Sequence, residues 1–167
     1  MYRNKLDLIN HLNDNYFIVV GGSTALEMYG LHLNRSIGNG DSDIDIIIPT
    51  EKELIQDDFI LRIENFPSTS PGSDFDKSYK IWTIGGGTIK VDVRIDPICE
   101  WVTLSNHLKI NKLSTILEAK CRYALDGNIK HLMDVGYLFS TQSEKIQSML
   151  INEKLMKKSF NSLAFLD

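Results

Sequence analysis

The aspartates Asp43 and Asp45 begin the run Asp-Ile-Asp-Ile-Ile-Ile, which Pro49 ends. Such β-branched runs favour strands, and residues two apart in a strand leave the same face of the sheet. Two carboxylates that close repel each other unless a cation lies between them, and hard cations such as Mg²⁺ prefer oxygen ligands. The pair therefore indicates a metal site, with ordinary surface acids on a solvated strand as the alternative. Asp41 shares this face only if the strand begins inside the turn-rich residues before it.

A third aspartate, Asp92, lies in a second strand-like run, residues 88–95. Alternation along a strand sends successive side chains to opposite faces. The apolar set is Ile89, Val91, Val93 and Ile95, and the polar set is Lys90, Asp92, Arg94 and Asp96. If this strand lies beside that of Asp43 and Asp45, three carboxylates meet on one or two metal ions. That arrangement aligns a nucleophile with a leaving pyrophosphate for in-line attack at phosphorus.

The sequence Gly21-Gly22-Ser23 follows the apolar run 16–20 and precedes a helix-like segment. The run predicts a buried strand and Ser23 a helix N-cap, so the glycines stand at a strand-to-helix junction. Glycine lets the backbone approach a ligand closely, and amides at a helix start hold phosphate oxygens. The turn thus predicts phosphate binding, with a tight turn of no further role as the alternative. There is no Walker lysine and no Gly-x-Gly-x-x-Gly, which argues against a P-loop or a dinucleotide-binding turn.

The rest of the chain supplies the elements that would position these residues. We predict helices at 3–13, 51–57, 112–126, 129–141 and 142–158, the first of them ending at Asn13-Asp14-Asn15. Further strands are predicted at 59–66 and 78–84, the latter joined to 88–95 as a hairpin through Gly85-Gly86-Gly87, with polar loops at 34–42 and 67–77. The fold class is therefore α/β (α+β). A short mixed β-sheet flanked by helices is expected over residues 1–105, with a helical C-terminal part, 106–167, packed on it.

Composition is that of an ordinary globular domain. Of the 167 residues, 43% are hydrophobic, enough to bury a core, and the net charge of −4 excludes a polycation that holds nucleic acid by charge alone. No apolar run approaches the roughly 18–20 residues of a membrane span, and the N-terminal residues carry no signal-peptide core. Cys99 and Cys121 have no Cys-x-x-Cys spacing. We therefore expect a cytoplasmic protein with reduced cysteines and no membrane segment.

In their order and strand placement, these motifs resemble those of the nucleotidyltransferase (polymerase β-like) superfamily. The superfamily pattern is a Gly-Gly-Ser/Thr turn, then an acid–hydrophobic–acid pair on a strand, then a third acid on a later strand. In this chain it reads Gly21-Gly22-Ser23, Asp43-Ile44-Asp45 and Asp92, within a similarity that covers residues 16–140. The resemblance implies a nucleotidyltransferase fold, catalytic and metal-binding roles for Asp43, Asp45 and Asp92, and nucleotide binding by the glycine turn.

Within the superfamily, the chain is most similar to a small bacterial and phage branch that includes abortive-infection-type nucleotidyltransferase toxins and minimal antitoxin-like transferases. Arg35 before the aspartate pair and lysines on the later helices fit that branch. The resemblance implies nucleotide contacts from Arg35, Lys120 and Lys130, with Asp134 as a supporting residue that orders the site. The alternative for each is an ordinary solvated surface residue. The chain departs from the branch at His131, where an acid is common, and in a glycine-rich stretch before the aspartates.

The resemblance implies an enzyme that uses Mg²⁺ (or Mn²⁺) to transfer a nucleoside monophosphate from an NTP to an acceptor hydroxyl, releasing pyrophosphate. The acceptors it allows are a tRNA 3′ end, a protein or a small molecule. The branch adds a toxin–antitoxin or phage-defence role and a separate protein partner. The alternatives are a non-catalytic, antitoxin-like binding module on the same fold and a metal-dependent phosphohydrolase. The intact set of three aspartates favours an enzyme over a binding module.

Overall fold

The computed structural model describes residues 4–34, 43–50, 63–66, 77–82 and 85–164. Its elements in chain order are α1 (Lys5–Asn15), β1 (Val19–Gly21), α2 (Gly22–Met28), β2 (Asp43–Ile48), β3 (Ile63–Phe66), β4 (Lys77–Trp82), β5 (Thr88–Ile95), β6 (Trp101–Thr103), β7 (Lys109–Asn111), α3 (Leu113–Leu125), α4 (Ile129–Thr141) and α5 (Ser143–Ala164). The predicted helix 51–57, most of the predicted loops 34–42 and 67–77, and the start of the predicted strand 59–66 lie outside the described residues. The predicted mixture of strands and helices is confirmed.

The seven described strands form one mixed sheet in the order β3-β4-β5-β2-β1-β7-β6. β2 runs parallel to β5 and β1 runs parallel to β7, whereas the other neighbours are antiparallel. The predicted hairpin is confirmed, since β4 and β5 pair antiparallel on either side of the glycine-rich turn. β2 and β5 are also neighbours. That adjacency is the condition under which the three aspartates can meet.

The even-numbered residues of β2 belong to the centre of the core. Ile44, Ile46 and Ile48 are at most 1% exposed, whereas Asp43 and Asp45 on the other face remain accessible to solvent. Helix α1 contributes the buried residues Leu8, Ile9 and Leu12. Burying each such side chain stabilises the fold by about 1.5–3 kcal/mol. The core therefore fixes which face of β2 carries the carboxylates, because a one-residue slip in register would bury them.

One predicted helix end is shifted by two residues, and one predicted cap is wrong. Helix α1 ends at Asn15, within the predicted stop Asn13-Asp14-Asn15, and so extends two residues beyond the predicted bound at residue 13. The Asn15 side-chain amide donates to the His11 carbonyl at 2.8 Å, which satisfies a carbonyl near the end of the helix. Helix α2 begins at Gly22, so Ser23 lies inside its first turn and is not the N-cap.

Strands β6 and β7 form an antiparallel hairpin that the sequence patterns do not predict. Its turn holds His107 at a φ of 62°, a left-handed conformation that glycine usually supplies. Because β7 pairs with β1, the sheet extends beyond the predicted boundary at residue 105. The strand predicted over residues 16–20 is confined to Val19–Gly21.

By its internal contacts the chain divides into two compact units. Unit 1 is Met1–Met28 with Arg35–Asn111, and unit 2 is Tyr29–Asn34 with Lys112–Asp167. The division falls after Asn111 rather than after residue 105 because β7 belongs to the sheet. The C-terminal helices lie where the sequence predicts them, although α5 extends to Ala164 rather than to residue 158. Among the residues that the structure describes, no helix is long and apolar enough to cross a membrane.

Side chains of α5 and of Gln142, the residue between α4 and α5, form hydrogen bonds with other segments of unit 2. The side chain of Lys112, the N-cap residue of α3, does not cap the helix. Instead, Leu113 N–H donates to Glu153 Oε2 at 3.0 Å, so a residue of α5 caps α3. His32 N–H donates to Gln142 Oε1 at 2.8 Å, and Gln142 Nε2 donates to the His32 carbonyl at 2.8 Å. These reciprocal hydrogen bonds fix the 29–34 segment to the helices.

Candidate active site

Asp45 and Asp92 are partners across the parallel strands β2 and β5. In the same register, Asp43 is the partner of Lys90. Partner residues on neighbouring strands project from the same face, and residues two apart in one strand do so as well. All three carboxylates therefore lie on one face of the sheet. The adjacency of their two strands, which the sequence leaves as a condition, is confirmed.

Asp92 is buried, although it lies on the polar face of β5. Its Oδ1 accepts a hydrogen bond from the hydroxyl of Ser78, the buried residue opposite it on β4. Its Oδ2 lies 3.2 Å from Lys90 Nζ. A buried carboxylate is costly to desolvate unless it is paired and hydrogen-bonded. Ser78 and Lys90, which sequence reasoning does not assign to the site, supply these two interactions.

Lys90 lies between carboxylates that belong to two strands. Its ammonium is 3.2 Å from Asp92 Oδ2 and 4.0 Å from Asp43 Oδ2. Burial alone would lower the pKa of Lys90, but Asp92 and then Asp43 outweigh burial, so the pKa is raised. The side chains of Lys90 and Asp43 are 48% and 45% exposed, so solvent screening weakens their interaction. The lysine is therefore a partly solvated counterion of the acidic cluster.

A second lysine, Lys5 at the start of α1, is also coupled to the cluster. Burial lowers the pKa of the Lys5 ammonium below its usual value. The carboxylate of Glu27 opposes this shift most strongly, and those of Asp45 and Asp43 follow. The repulsion between the aspartates is thus reduced by lysines from two different elements. Neither lysine is a site residue that the sequence motifs predict.

The glycine turn makes direct contact with the carboxylate cluster. Gly22 has a φ of 56°, and a Cβ added to it would lie 1.8 Å from Asp45 Oδ2. Glycine is thus required both for the backbone conformation and for the space that Asp45 occupies. Gly21 is the partner of Asp45 across β1 and β2. Thr24 Oγ1 donates to the Asp43 carbonyl at 3.4 Å, which ties α2 to the start of β2.

The chemistry of the donor set fits a hard divalent cation. Asp43, Asp45 and Asp92 offer carboxylate oxygens, which Mg²⁺ and Mn²⁺ prefer as ligands. Within the described part of the chain, no three His, Cys, Asp or Glu side chains are grouped so that they could hold one ion together. The Lys90 ammonium instead lies 3.2 Å from Asp92 Oδ2 and 4.0 Å from Asp43 Oδ2. The residues fit such an ion by type, and in this arrangement a lysine acts as their counterion.

The other residues with predicted nucleotide contacts lie in unit 2 or outside the described residues. Lys120 is buried on α3, and its Nζ lies 2.9 Å from Oδ2 of Asp134, which is buried on α4. His131 Nδ1 lies 3.4 Å from the same ammonium. Lys130 is exposed near the start of α4, and Arg35 falls outside the described residues. Lys120 and Asp134 are therefore paired, and the interpretation of either as a solvated surface residue is wrong.

No protein-family model and no curated protein matches this chain. Among solved structures, it is similar to an antigenic nucleotidyltransferase-like protein from Paracoccidioides brasiliensis. That match has 16% identity and a TM-score of 0.41, and covers 93% of this chain and 87% of the other. The chain is also similar to the Megavirus polyadenylate synthase, at 14% identity and a TM-score of 0.44, over 92% of this chain and 36% of the other. Both TM-scores are below 0.5, so neither similarity decides the activity of this chain.

Proposed function

We propose that this chain is a nucleotidyltransferase that uses Mg²⁺ or Mn²⁺ to transfer a nucleoside monophosphate from an NTP to an acceptor hydroxyl. The observation that carries the proposal is the register pairing of Asp45 with Asp92, with Asp43 two residues away on the same face. Carboxylates gathered on neighbouring strands, beside a glycine turn, suit a cation that also binds phosphate oxygens. The order of the sequence motifs supports the same activity.

In this proposal, Asp43 and Asp45 would hold one metal ion, and Asp92 would help to hold a second one. When bound, the metal neutralises negative charge that develops on the phosphate oxygens. The acceptor oxygen forms a bond to the α-phosphorus, the bond from that phosphorus to the bridging oxygen breaks, and pyrophosphate leaves. In the same proposal, the Asp92 carboxylate draws the proton from the acceptor hydroxyl as this bond forms. Positioning and electrostatics supply most of the catalysis.

The triphosphate is proposed to contact the turn Gly21-Gly22-Ser23 through backbone amides and the serine hydroxyl. Arg35, Lys120 and Lys130 are proposed as further nucleotide contacts, with Asp134 in a supporting role. For Lys120 to contact an anion, its 2.9 Å ion pair with Asp134 must open or be shared. Lys130 is exposed, so it is the better candidate of the two lysines.

The acceptor is proposed to be a hydroxyl of a tRNA 3′ end, a protein or a small molecule. A toxin–antitoxin or phage-defence role, with a separate protein partner, is a further proposal that rests on the resemblance to the toxin branch. The second candidate function is a non-catalytic, antitoxin-like binding module on the same fold. One observation favours it, because the Lys90 ammonium lies 3.2 Å from Asp92 Oδ2 and 4.0 Å from Asp43 Oδ2 and offsets part of their negative charge.

Transfer of label from α-labelled NTPs tests the proposed activity. The protein is incubated with Mg²⁺ or Mn²⁺ and each NTP in turn, with and without total tRNA, cell extract or a panel of small hydroxyl compounds. We expect label on one class of acceptor and one pyrophosphate released per transfer. Asp45→Asn should abolish transfer because it removes a proposed metal ligand. Asp96→Asn is the matched control, since it removes a carboxylate just after β5 and outside the cluster.

Three outcomes would contradict the proposal in different ways. Equal transfer by Asp45→Asn and the unchanged protein would show that the cluster is not the active site. No transfer to any acceptor, together with no NTP-dependent thermal shift, would favour the binding module. Release of phosphate without an acceptor would indicate a phosphohydrolase.

A further inference from the structure

The Lys90 ammonium lies close to two carboxylate oxygens that are proposed as metal ligands. It is 3.2 Å from Asp92 Oδ2 and 4.0 Å from Asp43 Oδ2, so it interacts with acids on two neighbouring strands. A metal ion bound to these oxygens would sit about 2.1 Å from them. An ammonium group at its present distance would then face a divalent cation across a shared oxygen, and the two positive charges would repel. The lysine and the metal ion are therefore expected to compete for these oxygens.

We propose that Lys90 is a built-in competitor for the metal ion, whose ammonium offsets part of the negative charge of Asp92 and Asp43 and moves away from them when a metal ion binds. The inference rests on the proposed function for the identity of the ion. It goes beyond that function by giving Lys90 an inhibitory role toward metal binding. Lys90 is a positioning residue in this account and is not assigned to the chemical step.

The surroundings of Lys90 allow such an exchange without unfolding the strand. Its side chain is 48% exposed, so the ammonium can move into solvent while the backbone pairing of β5 with β2 and β4 remains. Ser78 donates to the other oxygen of Asp92, and both Ser78 and Asp92 are buried. The carboxylate therefore keeps its orientation when Lys90 leaves. Asp92 Oδ2 is therefore available to either cation, the Lys90 ammonium or the metal ion.

Titration with Mn²⁺ alone, followed by the electron paramagnetic resonance signal of the free ion, tests the competition without any catalytic readout. Lys90→Met removes the competing charge, and Lys90→Gln is a second variant that keeps a polar end. Lys80→Met is the matched control, because Lys80 is the partner of Lys90 on β4 and the variant removes the same charge from a neighbouring position. We expect both Lys90 variants to bind Mn²⁺ about two- to fivefold more tightly, the scale of partly exposed ion pairs, and Lys80→Met to match the unchanged protein.

Thermal melting provides a second readout on the same proteins. In EDTA, Lys90→Met should melt below the unchanged protein, because its aspartates have lost a counterion. Adding Mn²⁺ should raise the melting temperature of Lys90→Met by more than that of the unchanged protein, since tighter binding to the folded state stabilises it more.

The results separate this inference from the proposed function. If Lys90→Met and the unchanged protein bind Mn²⁺ equally, or if Lys80→Met tightens binding as much as Lys90→Met, the competition is overturned and the metal site remains. If only the Lys90 variants bind Mn²⁺, the competition is supported in its strongest form. If none of the proteins binds Mn²⁺, both the inference and the proposed metal site are overturned.

Discussion

Replacing Asp134 with leucine should destabilise unit 2 because it leaves the Lys120 ammonium buried without its carboxylate. The two groups lie 2.9 Å apart, and their side chains are only 5% and 4% exposed, so solvent cannot replace the lost partner. Breaking a buried ion pair from one side costs about 3–5 kcal/mol. His131 Nδ1 lies 3.4 Å from Lys120 Nζ, which favours the lower end of this range. At about 2–4 °C per kcal/mol, the midpoint of thermal unfolding should fall by roughly 6–20 °C.

Urea titration followed by far-ultraviolet circular dichroism measures the loss, since unit 2 contains the longest helices and the two units need not unfold together. The double variant Lys120→Met with Asp134→Leu should recover most of the stability, because apolar replacement of a whole buried pair is often nearly neutral. Lys130→Met, an exposed lysine on α4, should stay within about 0.5 kcal/mol of the unchanged protein. The reasoning is refuted if Asp134→Leu loses less than about 1 kcal/mol, or if the double variant is as unstable as the sum of its parts.

Backbone conformation, helix capping and thiol burial each give a further expected outcome. Gly22→Ala should destabilise by about 2–5 kcal/mol in urea titration, because a left-handed φ and a Cβ 1.8 Å from Asp45 Oδ2 both oppose it. Glu153→Ala should lose about 0.5–2 kcal/mol, read from helical circular dichroism on heating, because Leu113 N–H loses its cap. Burial, followed by a neighbouring carboxylate, raises the pKa of the Cys99 thiol to about 11. Because only the thiolate reacts, iodoacetamide labelling of Cys99, followed by mass spectrometry, should still accelerate between pH 8 and 10.

Matched variants make these outcomes specific. Gly136→Ala, in the interior of α4 with nothing within 4 Å of the added Cβ, should stabilise by up to about 1 kcal/mol. If Gly22→Ala did not lower the free energy of unfolding relative to the unchanged protein, the contact with Asp45 would be contradicted. Glu153→Gln keeps a neutral acceptor and should lose less stability than Glu153→Ala, so equal losses would count against capping. A labelling rate for Cys99 that levels off by pH 9 would contradict its raised pKa.

Alternation of apolar and polar residues was sufficient to predict the two strands that carry the aspartates. In β2, Ile44, Ile46 and Ile48 face the core, and the register that buries them leaves Asp43 and Asp45 accessible on the opposite face. In β5 the same period places Asp92 on the face of Lys90. The pairing of Asp45 with Asp92 needed one further fact, the adjacency of two strands far apart in sequence, which local pattern does not determine.

The partners of Asp92 were not predictable because they depend on register across strands. A hairpin centred on Gly86 would place Ser78 opposite Arg94, whereas the structure pairs Ser78 with Asp92. The β6–β7 hairpin was not predicted because its sequence lacks the usual local signals. Its strands have three residues each, and its left-handed turn position is occupied by His107 instead of the glycine that signals such turns.

The ion pair between Lys120 and Asp134 depends on how two helices pack, and helical periodicity alone does not give that packing. The pair is 14 residues apart in sequence and joins α3 to α4. Charged residues on amphipathic helices usually face solvent, which made the alternative of solvated side chains reasonable, but both side chains are buried in this tertiary context.

A crystal structure with Mn²⁺ and a non-hydrolysable NTP analogue would show whether these aspartates bind a metal ion beside the nucleotide. We predict an anomalous peak bounded by Asp43, Asp45 and Asp92, with carboxylate oxygens about 2.1 Å from the ion. We also predict that the triphosphate lies against the turn Gly21-Gly22-Ser23 and that Lys90 Nζ is displaced from its present 3.2 Å contact with Asp92. A bound nucleotide with no ion at these aspartates, or an ion held only by other residues, would contradict the account.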